Sequence, residues 1–415
     1  MIHLKKVPYL LCLLFSSLLF SHPLPNTVVN LNVQSKSILI KIQVPKQNFE
    51  IAFKSKIAGN QTVAISKYFS DHIQIEDQNH QFWTMEFLDY HLQSKTAEFV
   101  GKYDEILFRI KFLPNKNSNG RDFTMHYDAI MHEITNHQAL VYVASDWENG
   151  IHDDSQQIGI IGLDVPTNTV FPLHISLANG SKWKGFKSMV ALGMTHISEG
   201  TDHLLFLLVL LLSAPLISKE KKWIGSGGTK YSLIRILKIA TAFTIGHSIT
   251  LIIGAFGLFN PNTKPVEILI ALSILITAIH AIKPIFPNKE IYVASGFGLI
   301  HGLAFASVLS NLDLDSSQLT LSLLGFNVGI ELMQLVVIIL VMPWFLLLSQ
   351  FKVYQWVRII GASMSGIAAI AWAVERFTEQ SNSISVLIQN SATQAIWFVL
   401  GLACFSIFIR IAVKK

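Results

Sequence analysis

Between residues 186 and 412 one apolar run follows another, at about 187–214, 232–258, 266–283, 291–311, 318–349, 355–374 and 392–412. Each is near or above the roughly 20 residues that cross ~30 Å of hydrocarbon. A segment in lipid must satisfy its own backbone hydrogen bonds, so each run is predicted to be a helix. Only 14% of the 415 residues are charged, against about 25% in an average soluble domain. The predicted fold class is an all-α polytopic membrane domain of about seven transmembrane helices over 181–415, preceded by an exported β-sandwich-like domain over 22–180. The net charge of +5 is explained by lysines beside the spans, and it does not call for nucleic acid as a partner.

Residues 1–21 have the pattern of a signal peptide: Lys5 and Lys6, an apolar stretch from Val7 to Phe20, and the small Ser21. Leu19, three residues before the cut, suits cleavage poorly, so an uncleaved anchor is the alternative. The exported part has no cysteine, since the two are Cys12 and Cys404, and it must fold without disulfides. Its short β-branched and aromatic segments at 27–33, 37–44, 81–88, 98–100, 106–112 and 138–143 predict antiparallel strands, with one helical insert near 54–70. His126, His132, Glu133 and His137 are close in sequence but match no standard metal spacing. Cleavage after Ser21 would make His22 the N-terminus, whose amine and imidazole together form a possible second metal site, suited to copper.

With the N-terminal domain exported, seven spans leave the C-terminus cytoplasmic. Loop charge agrees: Lys219, Lys221, Lys222, Lys230, Lys283, Lys289 and Lys352 fall on inner connections, whereas outer connections between spans carry only Lys264 and Arg376. The expected location is the cell inner membrane, with the first domain periplasmic.

At 1.5 Å of rise per residue, polar residues inside the spans form a layer. His196, Asp202 and His203 belong to the first span, His247 and Ser248 to the second, His301 to the fourth, and Asn327, Glu331 and Gln334 to the fifth, while Glu267 opens the third. One buried histidine or glutamine is commonly an interhelical hydrogen-bonding device worth ~0.6 kcal/mol. Carboxylates near the bilayer centre cost ~2.5 to 3.5 kcal/mol each unless paired, protonated or ligating, so the set points to function. Imidazoles with carboxylates and no cysteine suit nickel, cobalt, zinc or iron. The candidate ligands are His196, Asp202, His203, His247, His301 and Glu331, supported by Glu199, Gly200, Ser248, Glu267, Asn327 and Gln334.

The spacing of two ligands is a difficulty. His196 and His203 are seven residues apart, about 10.5 Å along a regular helix. Gly193 and Gly200 allow a break, predicted at Gly200, that would bring them together, because irregular backbone is tolerated where it lines a cavity. In a continuous helix His196, Glu199 and His203 would instead line one stripe along which an ion moves, with Asp202 beside it.

The runs GMTHISEGTDHLLFLL, TAFTIGHSITL, PVEILIALSI, GFGLIHGLAFA and LLGFNVGIELMQL together resemble, in that order, the HupE/UreJ-type membrane proteins. HPLPNTVVNL is similar to the start of the exported domain on one branch of that group. The resemblance implies nickel uptake, as in the shorter members. Their proposed metal motif, a histidine followed after five residues by Asp-His, matches His196, Asp202 and His203. The exported domain departs from those shorter permeases and leaves room for a periplasmic protein partner.

Two functional classes follow. One is a secondary permease that carries a divalent ion (nickel, cobalt or zinc) across the bilayer; no G-x-x-x-x-G-K-[ST] loop supplies an ATPase. The other is an intramembrane hydrolase whose histidines hold zinc while Glu331 or Asp202 activates water. A membrane scaffold or sensor is the blander option beside these two.

Overall fold

The structure, a computed structural model, describes residues 25–97, 101–116, 118–152, 155–259, 262–310, 314–392 and 394–413. The signal-like segment, His22 and the strand expected at 98–100 lie outside them. The chain divides into two compact units, Met1–Gly180 and Ser181–Lys415.

In the first unit, alternating side chains make β1 (Thr27–Val33) and β2 (Ile38–Pro45), joined as an antiparallel pair. After α1 (Lys46–Phe53) and α2 (Thr62–His72) come β3 (Ile73–Asp77), the long hairpin β4 (Thr84–Ala97) and β5 (Gly101–Leu113), β6 (Asp122–Tyr127), β7 (Gln138–Asp146), β8 (Gln156–Asp164), β9 (Thr169–Val170) and β10 (Leu173–Ser176). A seven-stranded sheet runs in the order β4-β5-β2-β1-β7-β8-β9 and a three-stranded sheet in the order β10-β6-β3. Residues from both sheets and from Phe49 and Phe69 of the helices share one apolar cluster. Phe108 of β5 sits 4.7 Å from the rings of both.

Two expectations for this unit need correction. The larger sheet is mixed, because β1 pairs parallel with β7. The chain between them crosses through the helices, the hairpin and part of the second sheet, and a crossover of that length is what lets a strand return in the same direction. The single helical insert is two helices, since α1 ends at Lys54 in a left-handed conformation with φ 56°.

The second unit contains α3 (Lys182–Glu199), α4 (Thr201–Ser213), the hairpin β11 (Leu216–Lys219) and β12 (Lys222–Ser226), α5 (Thr229–Ala255), α6 (Thr263–Ile282), α7 (Glu290–Ser310), α8 (Ser316–Leu348), α9 (Tyr354–Thr378), α10 (Ser383–Ala392) and α11 (Ala395–Val413). Among the described residues α5, α6, α8, α9 and α11 are long and apolar enough to cross a membrane, and the bent pair α3–α4 makes up to six candidate spans.

Local sequence sets several of these ends. Ser181 caps α3 by accepting from the Trp183 backbone N–H, and Asp315 with Gln318 forms a capping box at the start of α8. Small residues then permit two close helix pairs. A Cβ on Gly193 or Gly329 would meet the Phe326 or Val190 carbonyl oxygen, so α3 and α8 touch through backbone. Gly246, Gly298 and Gly302 do the same for α5 and α7. These two pairs carry His196 on α3, His247 on α5 and His301 on α7.

Candidate metal centre

The break expected at Gly200 is present. It separates α3 from α4, which bend by 72° from one another. Gly200 has φ −70° and ψ 90°, a conformation open to any residue. Crowding is what requires glycine there: a Cβ would lie 2.6 Å from the His196 carbonyl oxygen and 2.8 Å from His203 Nδ1. The bend brings the His196 and His203 rings to 4.6 Å between centroids. It also places Asp202 in the first turn of α4, where the helix dipole favours an anion.

Five donors converge from four helices. The ligand atoms of His196, His203 and His247 all lie within 4.8 Å of one another, and so do those of Asp202, His203 and His301. His203 belongs to both groups. The His203 ring is 6.3 Å from that of His247 and 5.1 Å from that of His301. His203, His247 and His301 are all buried.

Hydrogen bonds set which nitrogen of each ring is open. His203 Nδ1 lies 3.0 Å from Asp202 Oδ1. Donation from Nδ1–H to the carboxylate leaves the lone pair on Nε2, which has no hydrogen-bond partner among the described residues. The Ser273 hydroxyl donates to the Ile270 carbonyl at 2.7 Å and lies 3.0 Å from His301 Nε2. Its single proton is already used, so it accepts from Nε2–H, and the open lone pair is on His301 Nδ1. His247 is fully buried, and neither of its nitrogens has a hydrogen-bond partner among the described residues. An unsatisfied buried polar atom costs roughly 1–3 kcal/mol. A bound cation removes that cost.

His280 provides the contrast of a histidine engaged in the fold. It is buried, stacks on Phe286 at 3.8 Å, and its Nδ1 accepts from the Ile285 and Phe286 backbone N–H groups.

The other expected residues divide. Glu199, Gly200 and Glu267 line a cavity of about 310 Å³ together with His196, Asp202, His203 and His301. Glu331 instead accepts from Thr241 Oγ1 at 2.7 Å and belongs to neither donor group. Gln334 is paired with Thr244 and Ser248 with Asn327, so these three contacts tie α5 to α8. In the first unit, His126 binds Glu76 at 2.9 Å, His132 stacks on His72, Glu133 pairs with Lys54, and His137 meets Thr27. Four separate partners leave no shared site among them.

Ser273, Trp372 and Arg376 also belong to this region, and the sequence did not single out the first two. A lone serine in an apolar span carries no signal, because its hydroxyl can bond the preceding turn's carbonyl and need nothing else.

The HupE / UreJ protein family model matches residues 174–376. This part of the chain, just under half of its 415 residues, is similar to that family. Searches of curated proteins and of solved structures find no match. The HupE/UreJ segment contains all five converging donors, from His196 to His301, and every residue named above as lining the cavity.

Proposed function

We propose that the protein is a secondary permease for a divalent transition metal ion, nickel or cobalt first among them, and that the ion passes through the His196/Asp202/His203/His247/His301 centre. The two overlapping donor groups that share His203 carry this reading. An ion held by one group reaches the other by exchanging its partners around His203, with no step through free space. A resident catalytic zinc is better served by one closed set of three protein ligands with an open position. The donor types suit nickel, cobalt and zinc alike, and the shorter HupE/UreJ proteins are associated with nickel uptake, which favours nickel or cobalt.

In this reading α7, with 21 residues, also spans the membrane, as the fourth of seven spans. The first unit is exported, where it captures metal or a periplasmic protein partner, and the C-terminus is cytoplasmic in the cell inner membrane. The lysine distribution supports that orientation. The ion is the cargo; the residues supply neutral imidazole lone pairs, one carboxylate and a water-accessible cavity.

Uptake of nickel, cobalt and zinc by cells expressing the wild-type chain or His203→Ala is the direct test. The variant is expected to lower the initial rate for the transported ion at least tenfold. Equal rates for all three ions would overturn the permease reading.

A further inference from the structure

The cavity at the metal centre shares two residues with a second cavity of about 360 Å³: Glu267 on α6 and Arg376 on α9 line both. They are joined as an ion pair, Arg376 Nε to Glu267 Oε2 at 3.1 Å. The second cavity is also lined by Lys264, Glu375 and Glu379, and Lys264 pairs with Glu379 at 2.7 Å. Three carboxylates therefore face two cations. Glu375 adds an oxygen without solvent exposure that has no hydrogen-bond partner among the described residues.

Resting on the permease reading, we propose that the Glu267–Arg376 pair is a gate between an acidic vestibule and the metal chamber. A divalent cation in the vestibule competes with the Arg376 guanidinium for the Glu267 carboxylate, and displacing the arginine opens the way to Asp202 and the histidines. Both side chains are well exposed, Arg376 at 46% and Glu267 at 40%. A pair so exposed contributes little net attraction, so it opens readily. Under the orientation above, the N-terminal turns of α6 and the C-terminal turns of α9 face the outside, which makes the vestibule the outer mouth. Glu267 and Arg376 act on passage and do not belong to the resting ligand set.

A gate changes the rates of binding and release together and leaves the equilibrium nearly untouched, whereas a ligand changes the equilibrium. The experiment is stopped-flow binding of Co²⁺ to the purified full chain in detergent, followed by the ligand-field absorption of the bound ion. Arg376→Gln is expected to raise both association and dissociation rates at least fivefold with Kd within threefold of wild type. Glu267→Gln, which leaves the arginine unpaired in the passage, is expected to slow both. Arg376→Lys, which keeps the charge, and the exchanged pair Glu267→Arg with Arg376→Glu should return rates to within threefold of wild type, showing that the fold is intact.

Wild-type rates in both single variants, or a change confined to dissociation with a matching change in Kd, would overturn the gate. A cobalt band present in wild type and lost in His203→Ala keeps the metal centre when the gate fails. Absence of any band in wild type overturns both.

Discussion

The rings of His196 and His203 lie 4.6 Å apart, although seven residues of a regular helix would put them about 10.5 Å apart along its axis. The 72° bend at Gly200 accounts for the difference. The bend therefore assembles the donor set, and a change at its glycine should act on the donors directly.

Gly200→Ala is expected to weaken Co²⁺ binding at least tenfold. The added methyl meets the His196 carbonyl oxygen and His203 Nδ1, so either the bend opens or the His203 ring turns away from Asp202. Cobalt titration of the purified variant measures it. Affinity equal to wild type would mean that this crowding does not require glycine at the bend.

His247→Leu should separate stability from function. Both imidazole nitrogens are buried without hydrogen-bond partners among the described residues, and an apolar side chain of similar size removes that cost. The metal-free variant is expected to gain about 1–3 kcal/mol, seen as a higher denaturation midpoint in detergent with chelator present. The same variant should lose at least tenfold in cobalt affinity. A less stable metal-free variant would contradict the view that His247 is kept for binding.

Ser273→Ala removes the acceptor that holds the proton on His301 Nε2. The ring can then take the other tautomer, with its proton toward the donor group. Outer-shell partners of this kind are worth about 10–100-fold in metal affinity, and a loss in that range is expected while the helical content by circular dichroism stays unchanged. Unaltered affinity would remove Ser273 from the site.

The first unit should lose stability in mild acid. His137 Nε2 lies 3.2 Å from the Thr27 backbone nitrogen, which donates to it, and the ring is buried. Burial pushes its pKa down to about 4 from its ordinary 6.5. Between these values the unfolded chain binds the proton and the folded unit does not, so stability falls as pH drops from about 6.5 toward 4 and is fully present above 6.5. The effect of this one group is up to about 3 kcal/mol. Urea unfolding of the full chain, followed by fluorescence of the buried Trp83 and Trp147, should show that slope in wild type and a shallower one in His137→Gln.

Much of this protein was legible from residues alone, for a physical reason in each case. Lipid cannot hydrogen-bond to backbone, so long apolar runs had to become helices, and α5, α6, α8 and α9 lie where such runs occur. Short β-branched and aromatic segments marked β1, β2 and β7, since such side chains suit a pleated, half-buried surface. The cost of charge in hydrocarbon singled out His196, Asp202, His203, His247 and His301 before any geometry was known. What the tertiary structure alone decided was how these groups are oriented and partnered. Depth along a span says nothing about rotation around it, so Glu331 shared the layer yet turned to Thr241. The tautomer of His301 depends on a serine from another helix. The parallel β1–β7 pair depends on a crossover more than a hundred residues long, which no local pattern encodes. Gly200 stands between the two: the sequence marked where the helix should break, and only the packed structure supplied the crowding that makes glycine necessary there.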